Sequence, residues 1–169
     1  MTGIALWSVA ITRRTAKRSL RAYVQMYRAL VRFEGLAAAG PFKCHLNVIM
    51  KNTGQTPAQK IRVWLHATMH SDETAQAFEF EVDDAEMEKR NPSVLGRDQL
   101  LSHTLTLTFA HDAYQAVADG SLTLYVWGRA SYDDIFGETH RTNFRQQHTA
   151  QVMNKDVEMK ISVSGNDAT

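Results

Sequence analysis

The sequence predicts an all-β protein, an antiparallel sandwich or barrel, and three observations predict it. Eight segments alternate apolar and polar residues with period 2, the mark of half-buried strands. Turn-forming clusters separate them, and little of the chain carries a helical period. Alternation, in place of continuous apolar runs, excludes a parallel sheet buried on both faces.

The chain opens differently. Residues 3–11, G-I-A-L-W-S-V-A-I, are an apolar run, and R-R-T-A-K-R follows directly. A helical span needs about 20 apolar residues, so this run does not cross a bilayer alone. A secretion signal puts its charges first; here they come second. Arg13, Arg14, Lys17, Arg18 and Arg21 share one sector of a helix. That pattern predicts a basic stripe that contacts a membrane surface, or else a solvated helix ahead of the domain.

Strands begin after Arg21. Tyr27, Ala29, Val31 and Phe33 alternate with Arg28, Leu30 and Arg32. Gly40-Pro41 breaks the chain. Cys44, Leu46, Val48 and Met50 then face in, with Lys43, His45, Asn47 and Lys51 out. N-T-G-Q-T-P at 52–57 is a turn, and Pro57 belongs at the turn or the first strand position. Ile61, Val63, Leu65, Ala67 and Met69 mark the next inward face.

Phe78, Phe80 and Val82 alternate with Glu79 and Glu81, which predicts a short strand. Residues 83–99 are charged and irregular, with room for one helical turn at D-D-A-E-M-E-K. Leu105, Leu107 and Phe109 alternate with threonines. H-D-A-Y-Q-A-V-A-D-G predicts a short helix with Asp112 as N-cap and Gly120 just beyond its end.

The strongest hairpin lies at 122–144. Leu122, Leu124, Val126, Ala130 and Tyr132 take one face with Gly128 in register. Thr123, Tyr125, Trp127, Arg129 and Ser131 take the other. Asp133, Asp134 and Gly137 supply turn chemistry, and the return strand carries Phe144 inward. Val157, Met159, Ile161 and Val163 predict a last strand. The expected organisation is an N-terminal helix over 1–21, a sandwich over 22–164 and a disordered tail over 165–169. A count of about 7–8 strands fits an immunoglobulin-like sandwich, without the cysteine pair and core tryptophan of antibody domains.

Composition narrows the function. The chain has 169 residues, 44% of them hydrophobic, and a net charge of +1, so any nucleic-acid or membrane signal has to be local. The lone Cys44 forms no intramolecular disulfide and alternates inward as a small core residue. No G-x-S-x-G, G-x-G-x-x-G or phosphate loop occurs. His66 and His70 would lie about 13 Å apart on an extended strand, too far for one ion. His45 and His140 are assigned to outer faces. D-D-I-F-G-E lacks the alternate-oxygen spacing of a calcium loop. Asp83, Asp84, Glu86 and Glu88 read as a solvated loop.

Three segments together carry a resemblance: R-S-L-R-A-Y-V; V-I-M-K-N-T-G-Q-T-P-A-Q-K-I-R-V-W at 48–64; and L-Y-V-W-G-R-A-S-Y-D-D-I-F-G-E-T-H-R-T-N-F. Over about residues 13–145 the chain resembles a group of uncharacterised bacterial proteins with an N-terminal membrane helix, a charged connector and an immunoglobulin-like β domain. The resemblance implies a membrane-anchored, non-enzymatic domain and transfers no catalytic residue. The full hydrophobic span is missing here. The gene then begins upstream of Met1, or the chain sits peripherally on the membrane.

The expectation is a membrane-associated interaction or scaffold domain, with no catalytic residue, cofactor, metal, nucleic acid or small-molecule substrate. Arg13, Arg14, Lys17, Arg18 and Arg21 would face an anionic membrane surface. Tyr125, Trp127, Arg129 and Arg141 would face a protein partner or a second copy, because exposed Trp and Arg anchor interfaces. Positive charges after the apolar run favour the cytoplasmic side. The alternative is a soluble cytosolic binding module that oligomerises through its N-terminal helix. An enzyme or metal-binding protein is the third reading.

Overall fold

The computed structural model describes residues 15–35, 40–149 and 155–169. The apolar run, Arg13 and Arg14 lie outside them. Residues 15–20 are helical (α1). Among the described residues no helix is long and apolar enough to cross a membrane.

Strands β1 (Val24–Gly35), β2 (Phe42–Asn52), β3 (Ala58–His70), β4 (Ser93–Leu95), β5 (Leu100–Phe109), β6 (Thr123–Asp133), β7 (Thr139–His148), β8 (Val157–Glu158), β9 (Lys160–Ile161) and β10 (Asp167–Ala168) form two antiparallel sheets. Their orders are β5-β2-β1-β8 and β10-β7-β6-β3-β4, with β9 also on β7. Helices α2 (Asp72–Ala77), α3 (Asp84–Glu88) and α4 (His111–Ala118) sit in the connections. The chain is an all-β sandwich, as the period-2 pattern predicts.

The inner faces meet in one core. Ala29, Val31 and Phe33 of β1, Phe42 to Met50 at alternate positions of β2, Ile61 and Val63 of β3, Leu124 and Val126 of β6 and Phe144 of β7 are all buried. Each Val, Leu, Ile, Met or Phe among them contributes about 1.5–3 kcal/mol relative to exposure. Tyr114 of α4 closes one end by packing edge-on against Phe42 and Phe33, with ring centroids 5.0 and 5.7 Å apart. Cys44 is fully buried, and burial pushes its thiol up to about 12, so no thiolate is available for chemistry.

Several expectations need correction. Tyr27 faces solvent, because a bulge between Met26 and Arg28 adds one residue to β1 and breaks the alternation there. Residues 78–82 form no strand; they cross the outer face of the β3-β6-β7 sheet as an extended strap behind the short helix α2. Helix α4 starts after Ala110, and Asp112 lies inside its first turn instead of capping it. Gly120 beyond its end does take a left-handed φ of 84°.

The last predicted strand is split in two. β8 pairs with β1, and β9 pairs with β7. Between them Met159 enters the core, 5% exposed, so the chain crosses from one sheet to the other there. Ile161 and Val163 are consequently exposed. The tail is ordered: Asp167 and Ala168 pair with Asn143 and Thr142.

The N-T-G-Q-T-P turn fixes the entry to the domain. Asn52 is fully buried, and its amide makes four hydrogen bonds. Oδ1 accepts from the Tyr23 and Gly54 N–H groups, while Nδ2 donates to the Thr56 and Leu95 carbonyls. Residue 54 has to be glycine, since a Cβ there would meet the Arg21 carbonyl oxygen at 2.4 Å. The backbone that follows α1 is thereby locked to the β2–β3 corner.

Candidate functional site

Two regions carry the residues singled out from sequence. The first is the outer face of β6 and β7. Tyr125 and Trp127 do point away from the core, as alternation requires, but they are 8% and 5% exposed. Phe78 and Phe80 of the strap pack edge-on over the Trp127 ring at 5.8 and 5.2 Å. The Trp127 Nε1–H donates to the Glu81 carbonyl at 2.8 Å. The expectation of an exposed Tyr125–Trp127 surface is therefore corrected.

Arg129 is also engaged. Its Nε donates to Asn143 Oδ1 at 2.7 Å, and its Nη1 donates to Asp84 of α3 at 2.7 Å. Arg141 is exposed; its backbone carbonyl accepts from Thr169 N–H and its N–H donates to the Thr169 hydroxyl. Beside the strap lies a cleft of about 430 Å³ lined by Phe80, Trp127, Arg129, Asn143, Arg145 and Asp167. Its cationic groups have partners: the Arg145 guanidinium lies over the Phe80 ring, 4.3 Å from the centroid, and bonds Ser162 and Ser164.

The second region is the end of the sandwich formed by α1, the β6–β7 turn and the chain end. Lys17 and Arg18 lie on α1 and Arg21 just after it. The Lys17 ammonium is 3.0 Å from Glu138 Oε1 and 5.2 Å from the Phe136 ring centroid. Arg21 lies over the Tyr23 ring at 4.4 Å. Around these cations Leu20, Tyr23, Ile135 and Phe136 are exposed by 47, 39, 44 and 37%.

The turn is built by Asp134. Its Oδ1 accepts from the Phe136 and Glu138 N–H groups at 2.8 and 3.0 Å, and Gly137 takes a φ of 78°. This holds Ile135 and Phe136 out at the tip. Oδ2 of Asp134 faces His140 Nε2 at 2.9 Å, and His140 Nδ1 faces the Thr169 carbonyl at 3.1 Å. Burial acts to raise the Asp134 pKa, but the His140 hydrogen bond and the two N–H donors outweigh it. The carboxyl titrates below its ordinary value. Its neighbour Asp133 is likewise held low by the Thr139 hydroxyl and the Lys60 ammonium.

His140 is 6% exposed, which corrects its assignment to an outer face. The signal was in the sequence, since His140 has the same parity as the inward Phe144. The other histidines stay apart: His66 is on the outer face beside Trp127, and His45 bonds Glu34 and Thr106. Among the described residues, Asp134, Glu138 and His140 form a three-residue group whose ligand atoms all lie within 4.8 Å of one another. No protein-family model, no curated protein and no solved structure matches this chain.

Proposed function

We propose that the chain is a non-enzymatic interaction domain that docks on anionic membrane surfaces through the end formed by α1 and the β6–β7 turn. The observation that carries this is the contact of Lys17 with both Glu138 and Phe136, which sets the basic helix beside an exposed apolar tip. Ile135 and Phe136 enter the headgroup region while Lys17, Arg18 and Arg21 meet anionic headgroups. Each such cation contributes about 1 kcal/mol near a charged surface, and the apolar side chains add their burial. The Asn52 clasp ties the helix exit to the β2–β3 corner, which holds α1 at this end of the sandwich.

The proposal extends to fold family. The order β5-β2-β1 facing β7-β6-β3-β4 follows strands E-B-A and G-F-C-C′ of an immunoglobulin-like sandwich. This ordering supports the resemblance to membrane-anchored β domains; the cytoplasmic face is favoured separately, by the positive charges after the apolar run, and the side stays open.

The experiment is vesicle co-sedimentation. Phosphatidylcholine vesicles with phosphatidylserine should bind the chain, and phosphatidylcholine alone should bind it weakly. Ile135→Ser with Phe136→Ser, and separately Arg18→Glu, change exposed positions and should each weaken binding with the circular dichroism unchanged. No binding to either vesicle, together with concentration-dependent self-association, would replace this reading with a soluble module that oligomerises through its helix.

A further inference from the structure

We propose that Asp134, Glu138 and His140 form a binding site for a single zinc ion, a site that shares the Lys17–Glu138 pair with the membrane reading and is tested without vesicles. The argument begins with the tautomer of His140. Its Nδ1 faces a carbonyl oxygen, that of Thr169, 3.1 Å away. The main-chain oxygen of this last residue only accepts, so Nδ1 carries hydrogen, and in the neutral ring the lone pair is on Nε2. An oxygen acceptor on the far ring nitrogen, carboxylate or carbonyl, is the arrangement that orients metal-binding histidines.

That lone pair points at Asp134 Oδ2 across 2.9 Å. The other oxygen of Asp134 is used by the N–H groups of Phe136 and Glu138, so Oδ2 is the one left to bind. Two lone pairs therefore face each other between side chains only 7% and 1% exposed. A positive centre has to lie between or beside them, either a second proton on His140 or a cation. Two ligand atoms about 2.0–2.1 Å from a zinc ion are about 2.9 Å apart at a right angle and about 3.3 Å apart at the tetrahedral angle. The observed gap already falls at the lower end of this interval.

Glu138 supplies the third ligand from the exposed side, with all three ligand atoms inside 4.8 Å. Asp134 and Glu138 also line a cleft of about 300 Å³ together with Lys17, Arg18 and Arg21. One imidazole and two carboxylates suit zinc better than magnesium or calcium, which take all-oxygen shells. Lys17 holds Glu138 at 3.0 Å and is the competitor: zinc has to displace its ammonium from the carboxylate.

The test is a zinc titration of the full chain at pH 7.5, read by competition with a chromogenic chelator. One zinc per chain is expected. Glu138→Gln should weaken it roughly tenfold or more, and His140→Gln more still. Lys17→Gln should tighten it, because Glu138 is freed. Glu138 and Lys17 are surface residues, so both variants fold whatever becomes of His140→Gln. Absence of zinc binding, or binding that Glu138→Gln and Lys17→Gln leave unchanged, overturns the proposal and leaves a proton alone between Asp134 and His140.

Discussion

The side-chain oxygen of Asn52 accepts a hydrogen bond from the backbone N–H of Tyr23, 3.1 Å away across 29 residues of chain. The same amide serves Gly54, Thr56 and Leu95, so one buried side chain joins the helix exit, the β2–β3 corner and β4. Asn52→Ala leaves two N–H groups and two carbonyls short of a partner in a fully buried site. Each unsatisfied group costs about 1–3 kcal/mol, reduced where water enters. The expected loss is about 3 kcal/mol or more, read as a lower urea midpoint by tryptophan fluorescence. Asn52→Asp should cost at least as much, since it removes both donors and buries a charge.

Gly128 sits in the middle of β6, where a side chain would be ordinary. A Cβ there would lie 2.1 Å from the Trp64 carbonyl oxygen and 2.7 Å from the Phe144 ring. The strands approach too closely for alanine. Gly128→Ala should therefore destabilise by about 1–3 kcal/mol through overpacking. Gly137 makes the contrast: a Cβ there meets nothing within 4 Å, and only its φ of 78° resists alanine. Gly137→Ala should cost about 1–2 kcal/mol. Thermal melts of both variants at one protein concentration check the values.

What the sequence made legible was periodicity. β2 reads as drawn, because nothing interrupts its alternation from Phe42 to Asn52. Period 2 assigns faces, and it does not say what lies over the outer one. Trp127 and Tyr125 were thus placed on the correct side, while the cover formed by Phe78 and Phe80 was invisible. The strap itself alternates and so imitates a strand; it bonds to an indole N–H where a strand would bond to a backbone ladder. In the same way Lys17, Arg18 and Arg21 stood out as a basic stripe. The meeting of Lys17 with Phe136 and Glu138 spans some 120 residues, and no local pattern encodes it.

The strap should come loose before the sandwich unfolds. It contributes no strand ladder, and its hold includes the Phe78 and Phe80 rings, the Arg145 guanidinium over Phe80, the Trp127–Glu81 hydrogen bond and the Arg129–Asp84 pair. Trp127→Phe keeps most of the ring packing and deletes the donor, a change of about 0.5–1.5 kcal/mol. Limited proteolysis should then cut within residues 72–92 faster than in the parent chain, with the global urea midpoint shifted only slightly. Equal cleavage rates would mean that ring packing alone holds the strap.

His103 gives the fold an acid sensitivity. It lies on the inward side of β5 opposite Val48, and its Nε2 is buried without a partner among the described residues. Burial, and then the nearby Arg90 guanidinium, lower its pKa from the ordinary 6.5. The unfolded chain takes up a proton at this residue as pH falls through about 6.5, and the folded chain takes it up only at lower pH. Stability from this group is therefore fully present above 6.5 and declines as the solution is acidified through the interval below it. His103→Gln removes the titration and keeps a polar side chain of similar size. Urea midpoints measured from pH 8 to pH 5 should fall less steeply for the variant below about 6.5, and the two curves should run parallel above it.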